Sequence, residues 1–271
     1  MINDFMANNF KENGYLVIKN FLDKDEIENI NKDMEIIKNN EYLRGYGRAI
    51  NYCENGEINS LNGITPNKNC YLTRLAKSSK VKHLCDKLLN CDTTVRNCEM
   101  FLKPSKVGKK SPIHQDDSMW LLEKGLGLTI WCPLTPSNSN NGGLFYYEGS
   151  NNLGFVEHMP SNKPGTSQTV KDIEVLKNYK KVCFDLKPGD IVVHHIHTIH
   201  GSDENKSTNP RRVFTIQCYG KSDKCNYEKK KKYLIELKKQ LIDRGQEEND
   251  GILIHEHAAT DGFVQKEPYF F

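Results

Sequence analysis

Ser111-Pro112-Ile113-His114-Gln115-Asp116 sets an imidazole and a carboxylate two positions apart. On a strand, residues two apart point to the same side, so His114 and Asp116 would converge on one point. A second imidazole comes from far downstream. Gly189-Asp190 opens a run, read here as one strand, that passes through His194 and His195 to His200-Gly201-Ser202. Two imidazoles and one carboxylate cover one face of an octahedral metal and leave three positions open, as in non-haem Fe(II) oxygenases. A closed set of four ligands would instead point to structural zinc.

Arg211 and Arg212 follow closely after His200. Alternation sends one of the two inward, and the spacing leaves open which. A buried guanidinium needs an anionic partner, and its planar fork suits a carboxylate held by two bonds. The distal carboxylate of 2-oxoglutarate is such a partner, its keto-acid end chelating the iron. Ser202 adds a hydroxyl for the same carboxylate.

These residues need a frame. Thr94, Leu126, Gly143, Lys181, Ile191 and Val213 each open a short β-branched or aromatic run, separated by turn sequences such as Asn140-Asn141-Gly142-Gly143 and Lys187-Pro188-Gly189-Asp190. That rhythm predicts a sandwich or barrel of short strands, of the jelly-roll kind. Before it, Gly14-Tyr15-Leu16-Val17-Ile18 reads as a strand. Residues 23–39 read as a helix with Asp23 and Glu26 in capping-box positions and Ile27, Ile30, Met34 and Ile37 on one face. Residues 72–89 predict one more helix and 226–243 a last one. Residues 41–69 read as a long loop carrying Arg44, Tyr46 and Arg48, and residues 149–169 as a mobile loop over one mouth of the barrel. No repeat or boundary divides the chain. We expect one domain over residues 1–271, with a β core at about 92–220, helical support in 1–91 and an extension in 221–271.

Bulk properties narrow the classes. A formal charge of +3 is too small to point to nucleic acid or membrane. The run Lys229 to Lys232 lies on a helix with an apolar opposite face, and reads as a solvated surface. No stretch of about 18 apolar residues marks a membrane span, and the first ten residues lack a secretory pattern. Nine cysteines without a Cys-x-x-Cys pair predict free thiols in a reducing cytoplasm. His195 is placed near the barrel mouth, its contact with substrate left open, whereas His194 and His197 read as ordinary strand or loop residues. Asp117 points away from the metal, and His255-Glu256-His257 lacks a carboxylate in register.

The whole pattern resembles the phytanoyl-CoA dioxygenase family. The likeness rests on Asn13-Gly14-Tyr15-Leu16-Val17-Ile18, His114-Gln115-Asp116, Asn141-Gly142-Gly143-Leu144, Gly189-Asp190, and His200-Gly201-Ser202 with Asn205, Ser207 and Arg211. Glu148-Gly149-Ser150-Asn151 departs from the family's Pro-Gly-Ser-His. The resemblance implies a double-stranded β-helix with N-terminal helices, and a dioxygenase that hydroxylates a small molecule using Fe(II), 2-oxoglutarate and O₂, releasing succinate and CO₂. It implies His114, Asp116 and His200 as metal ligands and catalytic centre, and Arg211, Ser202 and Trp131 around the cosubstrate. Asp116 favours hydroxylation or another oxygen-dependent oxidation over halogenation, since related halogenases carry a small residue there. A metal-binding barrel without catalysis, a zinc hydrolase on the same ligands and a nucleic-acid binder remain as alternatives. The oligomeric state is not read from the sequence.

Overall fold

The computed structural model describes residues 2–39, 50–64, 70–163 and 166–243. Arg44, Tyr46, Arg48, His255 and His257 lie outside them. Helix α1 (Asp4–Asn13) begins where the Asn3 side chain accepts from the Met6 N–H and ends at Gly14, whose φ of 80° closes it. Strand β1 (Tyr15–Ile18) follows. Helix α2 (Lys24–Asn39) starts with the expected reciprocal cap, Glu26 N–H to Asp23 and Asp23 N–H to Glu26, and buries Ile30, Met34 and Ile37.

Two expectations for the next segment need correction. Within residues 41–69, the described part is a hairpin, β2 (Ile50–Tyr52) and β3 (Ile58–Ile64). Residues 72–89 form two helices, α3 (Tyr71–Ala76) and α4 (Ser79–Leu89), because Ser78 turns extended and caps α4 through the Val81 N–H.

The β core then comprises β4 (Thr93–Phe101), β5 (Ser111–His114), β6 (Gly127–Pro133), β7 (Leu144–Tyr147), β8 (His158–Lys163), β9 (Thr166–Val170), β10 (Lys181–Cys183), β11 (Ile191–His195), β12 (His200–Ser202) and β13 (Val213–Gly220). A short helix α5 (Asp117–Trp120) sits between β5 and β6, and α6 (Tyr227–Asp243) follows the last strand. The larger sheet has the order β1-β11-β6-β13-β4-β3-β2, and the smaller one β10-β7-β12-β5.

Alternation gives the larger sheet two different faces. Leu128, Ile130 and Cys132 of β6, with Ile191, Val193, Phe214 and Ile216, pack on the helices through Ile30, Met34, Leu72 and Leu84. Trp131, Val192 and Val213 face the smaller sheet and meet Tyr146 of β7. Every residue of β6 is buried, because both of its faces are covered. This is the two-sheet jelly roll of a double-stranded β-helix.

Residues 149–169 do not form a long loop. They contain the paired strands β8 and β9, and this hairpin rests on β5 through Thr169 Oγ1 to Ile113 O. Helix α6 packs on the hairpin from outside: Ser167 and Tyr233 share a hydroxyl hydrogen bond, and the Asn162 N–H donates to Gln240. Among the described residues no helix is long and apolar enough to cross a membrane.

Candidate metal and cosubstrate site

The three proposed ligands come together at one end of the inter-sheet space, all buried, with one donor atom each within 4.8 Å of the others. The route differs from strand alternation. His114 is the last residue of β5, and Asp116 already has helical backbone angles (φ −57°, ψ −35°) at the start of α5. A strand-to-helix turn brings the carboxylate back beside the imidazole. The downstream run is also two strands rather than one. β11 stays in the larger sheet, a turn closes with Thr198 N–H to His195 O, and β12 then enters the smaller sheet, where His200 pairs across from His114.

Hydrogen bonds set the tautomers. A carbonyl only accepts, so Nδ1 of His114, 2.8 Å from Pro112 O, carries the proton, and so does Nδ1 of His200, 2.9 Å from Thr198 O. Both rings therefore turn an unprotonated Nε2 toward Asp116 Oδ1, at 3.7 and 3.6 Å. Burial, then the neighbouring His114 and His194, holds His200 well below its usual range, which keeps its ring neutral. Burial alone would raise the Asp116 carboxyl, but His114, His194 and His200 outweigh it and hold it well below the ordinary value.

Asp116 Oδ2 accepts from Thr129 Oγ1 at 2.6 Å and from His194 Nε2 at 3.2 Å. His194 is thus not an ordinary strand residue. It shares the inner face of β11 with Val192, a position legible from alternation once the inward face is known. Asp117, expected to point outward from a strand, instead opens a helix and is buried, accepting from the Leu122 N–H and lying 3.1 Å from His197 Nε2. His195 packs against Phe10 and His197, and its N–H donates to Gly14 O, so it serves the contact with α1.

Of the arginine pair, Arg211 turns inward, 1% exposed, whereas Arg212 ion-pairs with Glu35 of α2. The Arg211 Nε and one terminal nitrogen find no acceptor among the described residues. Its guanidinium lies 5.5 Å from the Trp131 ring centre, and burial pulls its pKa down to about 9. Beside it is a cation with no sequence signal, Lys103, 2% exposed just past the end of β4. Its ammonium donates to Ser202 Oγ and to Asp203 O, both at 2.5 Å. Burial first, then the charge of Arg211, holds Lys103 well below the usual lysine range. Asn205 braces this corner, donating to Lys103 O and Asn209 O while accepting from Ser207, and the Arg211 N–H also reaches Lys103 O. The unmatched Arg211 nitrogens, with the Lys103 amine beside them, make a pocket for an anion.

The divergent segment Glu148 to Asn151 docks the N-terminus. Tyr15 donates to Glu148, Asn151 and Asn152 donate to the last carbonyls of α1, and Ser150 Oγ accepts from the Ile199 N–H beside His200.

The sequence profile of the phytanoyl-CoA dioxygenase (PhyH) family matches residues 10–213, spanning all the site residues above. The chain belongs to this family. Among family relatives, ectoine dioxygenase of Stutzerimonas stutzeri (strain A1501) is 25% identical over 221 residues, covering 76% of this chain and 73% of that protein. Human peroxisomal phytanoyl-CoA dioxygenase is 25% identical over 242 residues, covering 80% and 68%. Solved structures share the fold. EctD from S. alaskensis with 2-oxoglutarate and 5-hydroxyectoine gives a TM-score of 0.68 at 21% identity, covering 83% of this chain and 78% of that one. The epimerase SnoN in complex with Fe³⁺, α-ketoglutarate and nogalamycin RO gives 0.67 at 18%, covering 82% and 85%.

Proposed function

We propose that this member of the family is an Fe(II)- and 2-oxoglutarate-dependent dioxygenase that hydroxylates an unactivated C–H bond of a small polar metabolite. The observation that carries the reading is the pairing of two sites: His114 and His200 converging on anionic Asp116, and a pocket of Arg211 and Lys103 in which two Arg211 nitrogens have no acceptor among the described residues. Two imidazole Nε2 atoms and one carboxylate oxygen suit Fe(II). With iron bound, 2-oxoglutarate and O₂ would supply the oxidising power, leaving succinate and CO₂. Arg211 fixes the far carboxylate of the cosubstrate, Lys103 and Ser202 add donors, and Trp131 walls the site. The buried surroundings keep bulk water from the reacting atoms.

A barrel that only stored a metal would leave Arg211 buried with two nitrogens lacking an acceptor among the described residues, at a cost on the order of several kcal/mol. The substrate side is polar. Across the inner face, His194, Thr129, Gln217 and Asn97 are successive cross-strand partners, and Trp131, Thr215 and Glu99 form the next row. Arg96 donates to Gln217 Oε1 and stacks 4.7 Å from the Trp120 ring centre. Such a wall suits a small molecule with its own hydrogen-bonding groups better than a long acyl chain. We further infer that the chain works as a single oxygenase unit, since α6 reaches the metal strand β5 through the β8–β9 hairpin. The nine cysteines are free, in keeping with a reducing cytoplasm.

The test is succinate formation from 2-oxoglutarate under air, with Fe(II), beside His114→Ala and Asp116→Ala. Slow succinate that requires iron, O₂ and both ligands supports the assignment; undiminished turnover in purified Asp116→Ala overturns it. If the wild type forms none, anaerobic titration of the Fe(II) protein with 2-oxoglutarate decides: no change in the iron spectrum would leave only a metal-binding barrel.

A further inference from the structure

We infer that His194, backed by Tyr146 and assisted by Thr129, is a positioning residue that commits Asp116 to binding metal through a single oxygen. The inference rests on the metal-centre reading and goes beyond it, because none of these three residues is a ligand.

The two oxygens of Asp116 have separate surroundings. Oδ1 faces the Nε2 atoms of His114 and His200. Oδ2 points the other way, into Thr129 Oγ1 and His194 Nε2. A carboxylate only accepts, so both neighbours must donate, and the proton of His194 sits on Nε2. In the neutral ring Nδ1 is then an acceptor, and the Tyr146 hydroxyl, 3.2 Å away, donates to it. The result is a directed chain from Tyr146 through His194 to Asp116. Its members are buried and mutually packed: the His194 ring lies 4.5 Å from that of His200 and 5.4 Å from that of Tyr146, and Tyr146 lies 5.9 Å from His200.

The consequence is geometric. A carboxylate with a free second oxygen can chelate a metal with both and take up a fourth coordination position. With Oδ2 held by two donors, Asp116 offers Oδ1 alone, which keeps three positions for cosubstrate and O₂. The Asp116 side chain makes no capping bond to α5, although it stands at the capping position, so the helix does not compete for Oδ2. Leu122 takes its capping acceptor from Asp117 instead.

Co(II) is an air-stable probe with visible bands that report coordination number. We would titrate wild type, His194→Phe, His194→Gln and Tyr146→Phe with Co(II), record the visible spectrum, and measure Tm without metal. Partners behind a ligand typically govern metal affinity by about 10- to 100-fold. The expected result is a loss in that range for His194→Phe with altered Co(II) bands, recovery of most of it in His194→Gln, whose amide still donates, and a smaller loss in Tyr146→Phe. Wild-type affinity and bands in His194→Phe overturn the proposal. So does a loss that His194→Gln fails to recover while the bands stay unchanged, which marks packing alone. If His194→Phe does not fold, Tyr146→Phe decides: wild-type affinity and bands there overturn the proposal. Failure of the wild type to bind Co(II) removes the metal centre itself, a separate outcome.

Discussion

Arg211 shows how a single side chain serves binding against stability. Its guanidinium is buried with two nitrogens unmatched among the described residues, a state that costs free energy until an anion arrives. Arg211→Met should therefore weaken 2-oxoglutarate binding by about 100-fold or more, as expected for losing charge-assisted bonds worth roughly 3 kcal/mol. It should also leave the Tm of the ligand-free protein unchanged or higher. Calorimetric titration and a melting curve check the two halves separately. Lys103 makes the same argument through protons. Burial and Arg211 depress it, so an incoming dicarboxylate would raise it again. Where burial leaves Lys103 neutral, 2-oxoglutarate binding should take up protons, read from the buffer dependence of the binding enthalpy, and Lys103→Met should reduce the uptake.

At the scale of elements, Gln115 is the joint of the site. It lies between two of the proposed metal ligands, fully buried. Its amide donates to Gly154 O and His197 O and accepts from the Val156 N–H, while its own N–H donates to His158 Nε2. One residue thus ties β5 to the start of the β8–β9 hairpin and to the turn before β12. Gln115→Leu keeps the volume but strips three backbone groups of their partners, so we expect a loss of roughly 2–4 kcal/mol in denaturant unfolding. Amide exchange should quicken in residues 154–158 before it does in β6. Helix α6 contributes from farther out. Within the Lys229–Lys232 run, Lys230 is no solvated lysine, since its ammonium donates to Met119 O of α5 and burial lowers its pKa to about 8.

For the molecule as a whole, buried histidines set an acid limit. Burial pulls His158 down to about 4 and His195 to about 3, from an ordinary 6.5. The unfolded chain takes up these protons first. Their contribution is complete above pH 6.5 and is lost as pH falls toward 4 and 3, each unit of displacement being worth about 1.4 kcal/mol. Urea midpoints should fall between pH 7 and pH 5, and His158→Gln should flatten that slope. A midpoint independent of pH in this range would contradict the burial of both rings.

The His-Asp-His cluster proposed to hold metal, the inward arginine and the strand rhythm were readable in the chain because each obeys a local rule. His114 and Asp116 are close in sequence, a single buried arginine needs an anion, and β-branched runs alternate with Gly and Asn turns. The sequence left the direction of Arg211 and Arg212 open, and Glu35 of a distant helix resolves it by claiming Arg212. Local pattern also misplaced the residues around the ligands. His194 looked ordinary because its partners, Asp116 and Tyr146, lie 78 and 48 residues away. Lys103 sits in no motif, and its role follows from Ser202 and Arg211, brought beside it by β12 and the start of β13. Residues 149–169 look like a loop because their polar side chains are matched across space by β5 and α6. What depends on neighbours in sequence was written in the chain; what depends on cross-sheet partners was decided only when the two sheets closed on one another.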